Sequence, residues 1–149
     1  MMKILLTLFV LFFSSTVVAK KTLVGVSFLC SFEEHGKYNI IGFGFLENNR
    51  IRGVQGDINT GITLNSGDVP KRIIEYETSP ISIKIFVKNE SEFMKINRKS
   101  LELSFHKNSK NLGAINGDNC EIYEDGNIEK NFEKLKEKLV TEMTKDNKL

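Results

Sequence analysis

The sequence predicts a mainly β protein, built as one antiparallel meander of about seven to nine short strands followed by a C-terminal amphipathic α-helix. Apolar residues recur at every second position along most of the chain, which is the period of a strand. After Gly126 the apolar spacing changes to three and four residues, the period of a helix. Strands and helices do not alternate, so a doubly wound α/β fold is excluded. The meander is expected to be closed or nearly closed, as a small barrel or a sandwich.

The first 19 residues have the layout of a cleaved secretory signal peptide. Lys3 precedes an unbroken apolar run of ten residues, Ile4 to Phe13, and the segment ends on the small residue Ala19. A membrane span needs about 20 apolar residues, so this run is too short for an anchor. We therefore expect a mature chain that begins at Lys20, resides in a bacterial periplasm or is secreted, and keeps no stable membrane anchor.

The two cysteines of the chain, Cys30 and Cys120, are expected to form one disulfide. An exported chain folds in an oxidising compartment, and the absence of a C-x-x-C motif makes a metal site a poor alternative. The cysteines fall in the first and last predicted strands, so the bridge would tie the two ends of the β region together. Closing a loop of about 90 residues is expected to contribute about 4–5 kcal/mol of stability.

The first predicted strands follow the clearest alternation. The strand from Val24 to Phe32 places Cys30 on its apolar face, and we expect that face alone to be buried. The second strand, Tyr38 to Leu46, has glycines on the face opposite its phenylalanines, which is typical of a bend or of close backbone approach. The third strand is Ile51 to Ile58. The polar stretch Asp57 to Lys71 that overlaps its end is the longest predicted loop.

The rest of the β region is predicted as short strands separated by polar turns. The regular alternation of isoleucine and valine from Ile81 to Val87 makes it the clearest strand in the chain. The other predicted strands are Ile73–Thr78, Phe93–Arg98, Leu101–His106, Leu112–Ile115 and Asn119–Tyr123. Together with the first three they form one β domain, residues 20–125.

Residues 126–149 are predicted to form a helix that packs on this domain. Its N-cap is Asn127, because an asparagine side chain can accept a hydrogen bond from a free amide of the first turn. Charged residues occupy the other side, with lysines and glutamates nearly balanced, so packing on the sheet is favoured over membrane binding. The apolar stripe consists of Ile128, Phe132, Leu135, Leu139 and Met143.

Motifs for catalysis, metals and nucleic acids are missing. Both cysteines are assigned to the bridge, the only histidines are His35 and His106, and no G-x-S-x-G motif occurs. The acidic residues around Cys120 lack the spacing of a calcium loop, so no metal and no cofactor is expected. A net charge of +2 is too small to indicate nucleic-acid binding. We expect a protein that is not an enzyme, although a carboxylate pair for hydrolysis stays open.

These observations favour a small exported binding protein that acts through loops on a disulfide-tied scaffold. The candidate binding residues lie in two polar segments, with His35 in the first turn and Asp68, Lys71 and Arg72 in the long loop. The partner is unknown and could be another exported protein. The alternative is a carrier that holds a small apolar ligand inside a barrel. The side chains expected to line that interior are Phe28, Phe43, Phe45, Ile83 and Phe105.

The predicted layout combines a signal peptide, a short β domain and one disulfide to the last strand. This layout is similar to that of bacterial C-type lysozyme inhibitors. The similarity covers architecture only, since the sequence contains no Ser-Gly-Arg-Tyr-type inhibitory loop. It implies inhibition of a secreted enzyme as a further hypothesis.

Overall fold

In a computed structural model that describes residues 23–65 and 74–146, the chain forms one antiparallel sheet followed by one α-helix. The expected signal peptide, residues 1–19, lies outside the described residues. A short 3-10 helix joins the last two strands. The elements are β1 (Ser27–Glu34), β2 (Lys37–Phe45), β3 (Arg50–Asp57), β4 (Gly61–Asn65), β5 (Ile74–Thr78), β6 (Ser82–Asn89), β7 (Glu92–Asn97), β8 (Leu103–Lys107), β9 (Lys110–Ile115), η1 (Gly117–Asn119), β10 (Cys120–Tyr123) and α1 (Ile128–Asp146).

The sheet confirms the predicted antiparallel meander and helix but differs in closure. Its order is β10-β1-β2-β3-β5-β6-β7-β8-β9, with β4 added to β3. The sheet is not closed: β9 and β10 are its end strands, and no hydrogen-bonded ladder joins them in the described ranges. The expected antiparallel meander is therefore present, but within the described ranges it does not close into a complete barrel. One sheet curls around its own core, and in those ranges it has ten strands, close to the expected seven to nine.

The additional strand is β4, which lies inside the segment predicted as a loop. A turn shaped by Asp57 brings it back onto β3: the carboxylate accepts hydrogen bonds from the backbone amides of Asn59 at 2.8 Å and Thr60 at 2.9 Å. Side chains that bond their own backbone in this way favour turns without any apolar pattern. The hairpin is therefore specified by a polar turn rather than by alternation.

The main core lies on the concave face of the sheet and draws side chains from every strand except β4. Four residues of the predicted interior are almost fully buried in it, and Phe105 packs against it while partly buried. Phe45 meets the ring of Tyr76 edge-on at 5.1 Å between ring centres, a favourable arrangement for aromatic pairs. The buried cluster consists of Phe28, Cys30, Phe43, Phe45, Ile51, Tyr76, Ile83, Ile85, Met94, Ile96, Leu103, Ile115 and Cys120.

A second core forms where α1 packs on the convex face of β1–β4. The helix begins as predicted, because Asn127 Oδ1 accepts from the backbone amide of Lys130 at 3.0 Å. Beneath the helix, β1 buries both of its faces, so the expectation of a single buried face is wrong. A Cβ on Gly56 would lie 2.0 Å from the carbonyl oxygen of Gly61, so only glycine fits there. The buried residues are Leu29, Ile40, Val54, Ile58, Ile128, Phe132 and Leu135.

The predicted disulfide is present and joins the first strand to the last. Cys30 and Cys120 are direct partners in the β1–β10 ladder, with 4.0 Å between their Cα atoms. Both residues are buried, at 0% and 7% exposed. The bridge therefore fixes the pairing of two strands that are 90 residues apart in the chain.

The acidic residues after Cys120 attach the helix to the sheet. Glu121 accepts hydrogen bonds from the Tyr123 hydroxyl, at 2.7 Å, and from Lys138. Burial alone would raise the pKa of Glu121, but the hydrogen bonds from Lys138 and Tyr123 outweigh it and lower that pKa. The Asn131 amide, and after it Lys134, lower the pKa of Asp125. These carboxylates therefore act as acceptors for the helix rather than as solvated turn residues.

Acid should weaken this attachment. A lowered folded-state pKa means that the contribution of Glu121 and Asp125 to stability is complete above their ordinary values, at about pH 5 and higher. This contribution to stability is lost as the pH falls through the lowered pKa values of the two carboxyl groups. Urea unfolding at pH 6 and pH 3 should therefore show a smaller loss of stability in a Glu121→Gln, Asp125→Asn variant than in the wild type.

The matched control for this measurement removes two exposed carboxylates elsewhere, with Glu102→Gln and Glu137→Gln. This control should keep the acid sensitivity of the wild type. Equal acid sensitivity in the Glu121→Gln, Asp125→Asn variant and the wild type would contradict the assignment.

Candidate functional site

An apolar cavity of about 210 Å³ opens at one end of the curled sheet. Neighbouring antiparallel strands turn at the same edge of the sheet, so five strand ends meet there. These are the start of β1, the end of β2, the start of β6, the end of β7 and the end of β10. We call this space the end cavity. It is lined by Leu23, Val26, Phe28, Phe45, Ile83, Ile96, Arg98, Leu101, Ile122 and Glu124.

The outer wall of the end cavity keeps apolar side chains in contact with solvent. Leu23, Val26 and Leu101 are only partly buried, and Ile122 is 50% exposed. Leu101 has a φ of +59°, a left-handed conformation that glycine or asparagine adopts far more readily than leucine. A leucine at this position provides an apolar wall that the favoured turn residues would not.

The loop that carries Leu101 is held firmly in place. The backbone amide of Leu101 donates to the carbonyl of Asn97 at 2.8 Å, and the Asn97 side chain accepts from the amides of Lys99 and Ser100. Arg98, on the rim of the cavity, donates its guanidinium to the carbonyl of Ser79 at 3.1 Å. The cavity wall is therefore largely preformed, which reduces the entropy lost on binding.

The predicted binding loops do not meet at this cavity. His35 has a φ of +53° in the exposed β1–β2 turn, at the end of β1 opposite to the cavity. Asp68, Lys71 and Arg72 lie outside the described residues. The structure thus gives no common site to these four residues.

The predicted interior residues divide between two ends of the sheet. Phe28, Phe45 and Ile83 line the end cavity, whereas Phe43 lies in the packed core between. Phe105 lines two open clefts of about 370 and 380 Å³ at the opposite end, where β9 faces β1 without pairing to it. All five residues therefore belong to the concave face, and three of them reach the end cavity.

A serine and a histidine approach each other on the convex face. Ser104 Oγ lies 2.9 Å from His106 Nε2 and 3.2 Å from the carbonyl oxygen of Lys95. Which atom donates in the contact between the serine and the histidine depends on the tautomer of the ring. Either way, the contact holds the imidazole in one orientation on the sheet.

The described ranges contain no group of three or more metal-ligating side chains placed to hold an ion, and no helix in them is long and apolar enough to cross a bilayer. The chain matches no protein-family model, no curated protein sequence and no solved structure. Function is therefore inferred from the geometry of the chain itself.

Proposed function

We propose that this protein is a small exported binding protein without catalytic activity, and that it accepts an apolar group of its ligand in the end cavity. The observation that carries this proposal is the cavity itself, which is apolar, preformed and open to solvent at one end of a disulfide-tied sheet. Ligand pockets in proteins are commonly concave, mostly apolar and formed before the ligand arrives.

The size of the end cavity indicates what enters it. An engineered apolar cavity of about 150 Å³ in another protein binds benzene. A space of about 210 Å³ accepts a slightly larger group, such as a short alkyl chain or one aromatic ring. Most ligand pockets are larger, at about 300–1,000 Å³. The cavity therefore holds one end of a ligand, and the remainder passes over the rim beside Arg98.

Location is part of the same proposal. A buried disulfide persists in oxidising compartments, which agrees with the signal peptide predicted for residues 1–19. We place the mature protein in a bacterial periplasm or outside the cell.

Filling the cavity tests the binding function. In a Val26→Phe variant, the added ring should occupy the end cavity and weaken binding of benzene or 1-hexanol at least tenfold. The measurement is an NMR titration of the disulfide-bonded chain that follows the methyl resonances of Ile83, Ile96 and Leu101. In the wild type, these methyl groups should shift in a saturable way.

Val87→Phe is the matched control, because Val87 is also partly buried but lines a cleft at the opposite end of the sheet. It should leave binding unchanged. The proposal fails if neither probe shifts the cavity methyl groups, or if both variants bind as the wild type does. Thermal melting of each variant confirms that it is folded.

A further inference from the structure

An open strand edge lies beside the mouth of the end cavity. β10 is an end strand of the sheet, with β1 on one side and no neighbouring strand on the other within the described ranges. Ile122 belongs to this strand, and its side chain lines the cavity while remaining 50% exposed. The cavity and the open edge therefore share a residue.

The register shows which backbone groups of β10 point toward the open edge. In an antiparallel sheet, successive residues of a strand bond alternately to the neighbour on one side and to the neighbour on the other. Phe45 donates its amide to the carbonyl of Val26 at 2.9 Å, so the even-numbered residues of β1 bond to β2 and the odd-numbered residues bond to β10. Ile122 lies opposite Phe28, an even-numbered residue. Its N–H and C=O therefore point away from β1, where a further strand could pair with them.

The charges at the mouth of the cavity balance. Arg98 and Glu124 both line it, so the mouth carries one charge of each sign. A carboxylate head group would lie near Glu124, and an ammonium head group would lie near Arg98. An uncharged amide avoids both repulsions, because its carbonyl accepts from a guanidinium and its N–H donates to a carboxylate. The mouth is therefore complementary to a polypeptide backbone rather than to a charged head group.

Strand geometry connects the open edge to the cavity. Side chains of directly opposite residues on neighbouring strands lie on the same face of the sheet. A ligand residue paired with Ile122 would therefore direct its side chain into the end cavity, while its own N–H and C=O bond to the backbone of Ile122. The ligand residues on either side of it would point to the other face.

We propose that the ligand of the end cavity is an extended peptide, which adds to β10 as an antiparallel strand and places one leucine or phenylalanine side chain in the cavity. This inference rests on the proposed function, because it identifies the remainder of the ligand whose apolar group the cavity accepts. A volume of about 210 Å³ fits one such side chain. Peptides that add to sheet edges combine main-chain hydrogen bonds, which give affinity, with side-chain pockets, which give specificity.

The test is an NMR titration of the disulfide-bonded chain with a blocked heptapeptide, acetyl-Thr-Thr-Thr-Phe-Thr-Thr-Thr-amide. The backbone amide of Ile122 and the methyl groups of Leu101 should shift together and in a saturable way. A peptide with alanine in place of phenylalanine should bind at least tenfold more weakly, because it lacks the anchoring ring. A peptide with an N-methylated phenylalanine should also bind at least tenfold more weakly, because it keeps the ring but cannot donate to the carbonyl of Ile122.

Ile122→Pro tests the open edge from the side of the protein. Proline removes an N–H that points away from β1, and proline is tolerated at such positions of edge strands. The matched control is Ile122→Val, which also shortens the side chain but keeps the N–H. The proline variant should bind the peptide at least tenfold more weakly than the valine variant, whereas both should still bind benzene. Thermal melting of each variant confirms that it is folded.

The outcomes separate this inference from the proposed function. If benzene shifts the cavity methyl groups but the peptide does not bind, the inference is overturned and the proposed function stands. If neither binds, both fail. The inference is also overturned if N-methylation or Ile122→Pro leaves peptide binding unchanged. Tighter binding of hexanoate or hexylammonium than of the peptide would overturn it as well, and would indicate a free amphiphile as the ligand.

Discussion

Removing the disulfide with Cys30→Ala and Cys120→Ala should lower the free energy of unfolding by about 4–5 kcal/mol in the chain-entropy model. The bridge closes a loop of 90 residues, and without it the unfolded chain gains most of the freedom that this loop restricts. Both side chains are also buried between β1 and β10, so their loss removes packing where the first strand meets the last. Urea unfolding curves of the variant and the oxidised wild type measure the difference.

Ser31→Ala is the matched control, because it changes a buried small residue on the same strand. Ser31 donates to the carbonyl of Asn119 at 3.4 Å, so its loss should cost about 0.5–1.5 kcal/mol. The entropic account is wrong if the double cysteine variant loses no more stability than Ser31→Ala. Reduced wild type should unfold like the cysteine variant, since both lack the same constraint.

Phe132→Ala should destabilise the protein by about 3–5 kcal/mol, the range for truncating a fully buried aromatic side chain. Phe132 projects from α1, is 0% exposed and packs against Gly56 of β3, where an added Cβ would lie 2.8 Å from its Cζ. Alanine therefore leaves a void at this contact. Chemical denaturation followed by far-ultraviolet circular dichroism reports the loss.

Val140→Ala is the comparison on the same helix, because its side chain is 43% exposed. A surface substitution of this kind should change stability by no more than about 0.5 kcal/mol. The loss of stability caused by Phe132→Leu should lie between those of the two alanine variants, since leucine retains most of the buried apolar area. If Phe132→Ala and Val140→Ala were equally mild, the helix would not depend on this core.

The strand pattern, the helix and the disulfide were predictable because each depends on a feature of the sequence itself. The strands and the helix depend on the spacing of apolar residues, and the disulfide depends on the two cysteines. Alternation from Ile81 to Val87 matches β6, and the stripe that begins at Ile128 matches α1. Cys30 and Cys120 fall in strands whose apolar faces both turn inward. Local propensity and tertiary packing agree in these segments, so local information is sufficient.

Closure of the sheet and the identity of β4 depend on information that no single segment contains. β4 has five residues and follows a turn set by the Asp57 side chain, so its alternation is too short to stand out. Whether a curled sheet closes depends on the twist summed over many strands. The second buried face of β1 arises only because the helix, a hundred residues later, packs on Leu29.

The end cavity could not be predicted from the sequence for a related reason. It lies where the ends of five strands meet, and the sequence shows only scattered apolar residues at those positions.

The position of β1 has a consequence for when the protein can fold. Its partner β10 and its cover α1 both come from the C-terminal part of the chain, so the first strand is incomplete until the last residues are present. Contacts so distant in sequence form slowly, because a long loop must close before they contribute. If the chain is exported before it folds, β1 stays without its partner until the C-terminal strand has also crossed the membrane. The disulfide then forms only when both cysteines have reached an oxidising compartment.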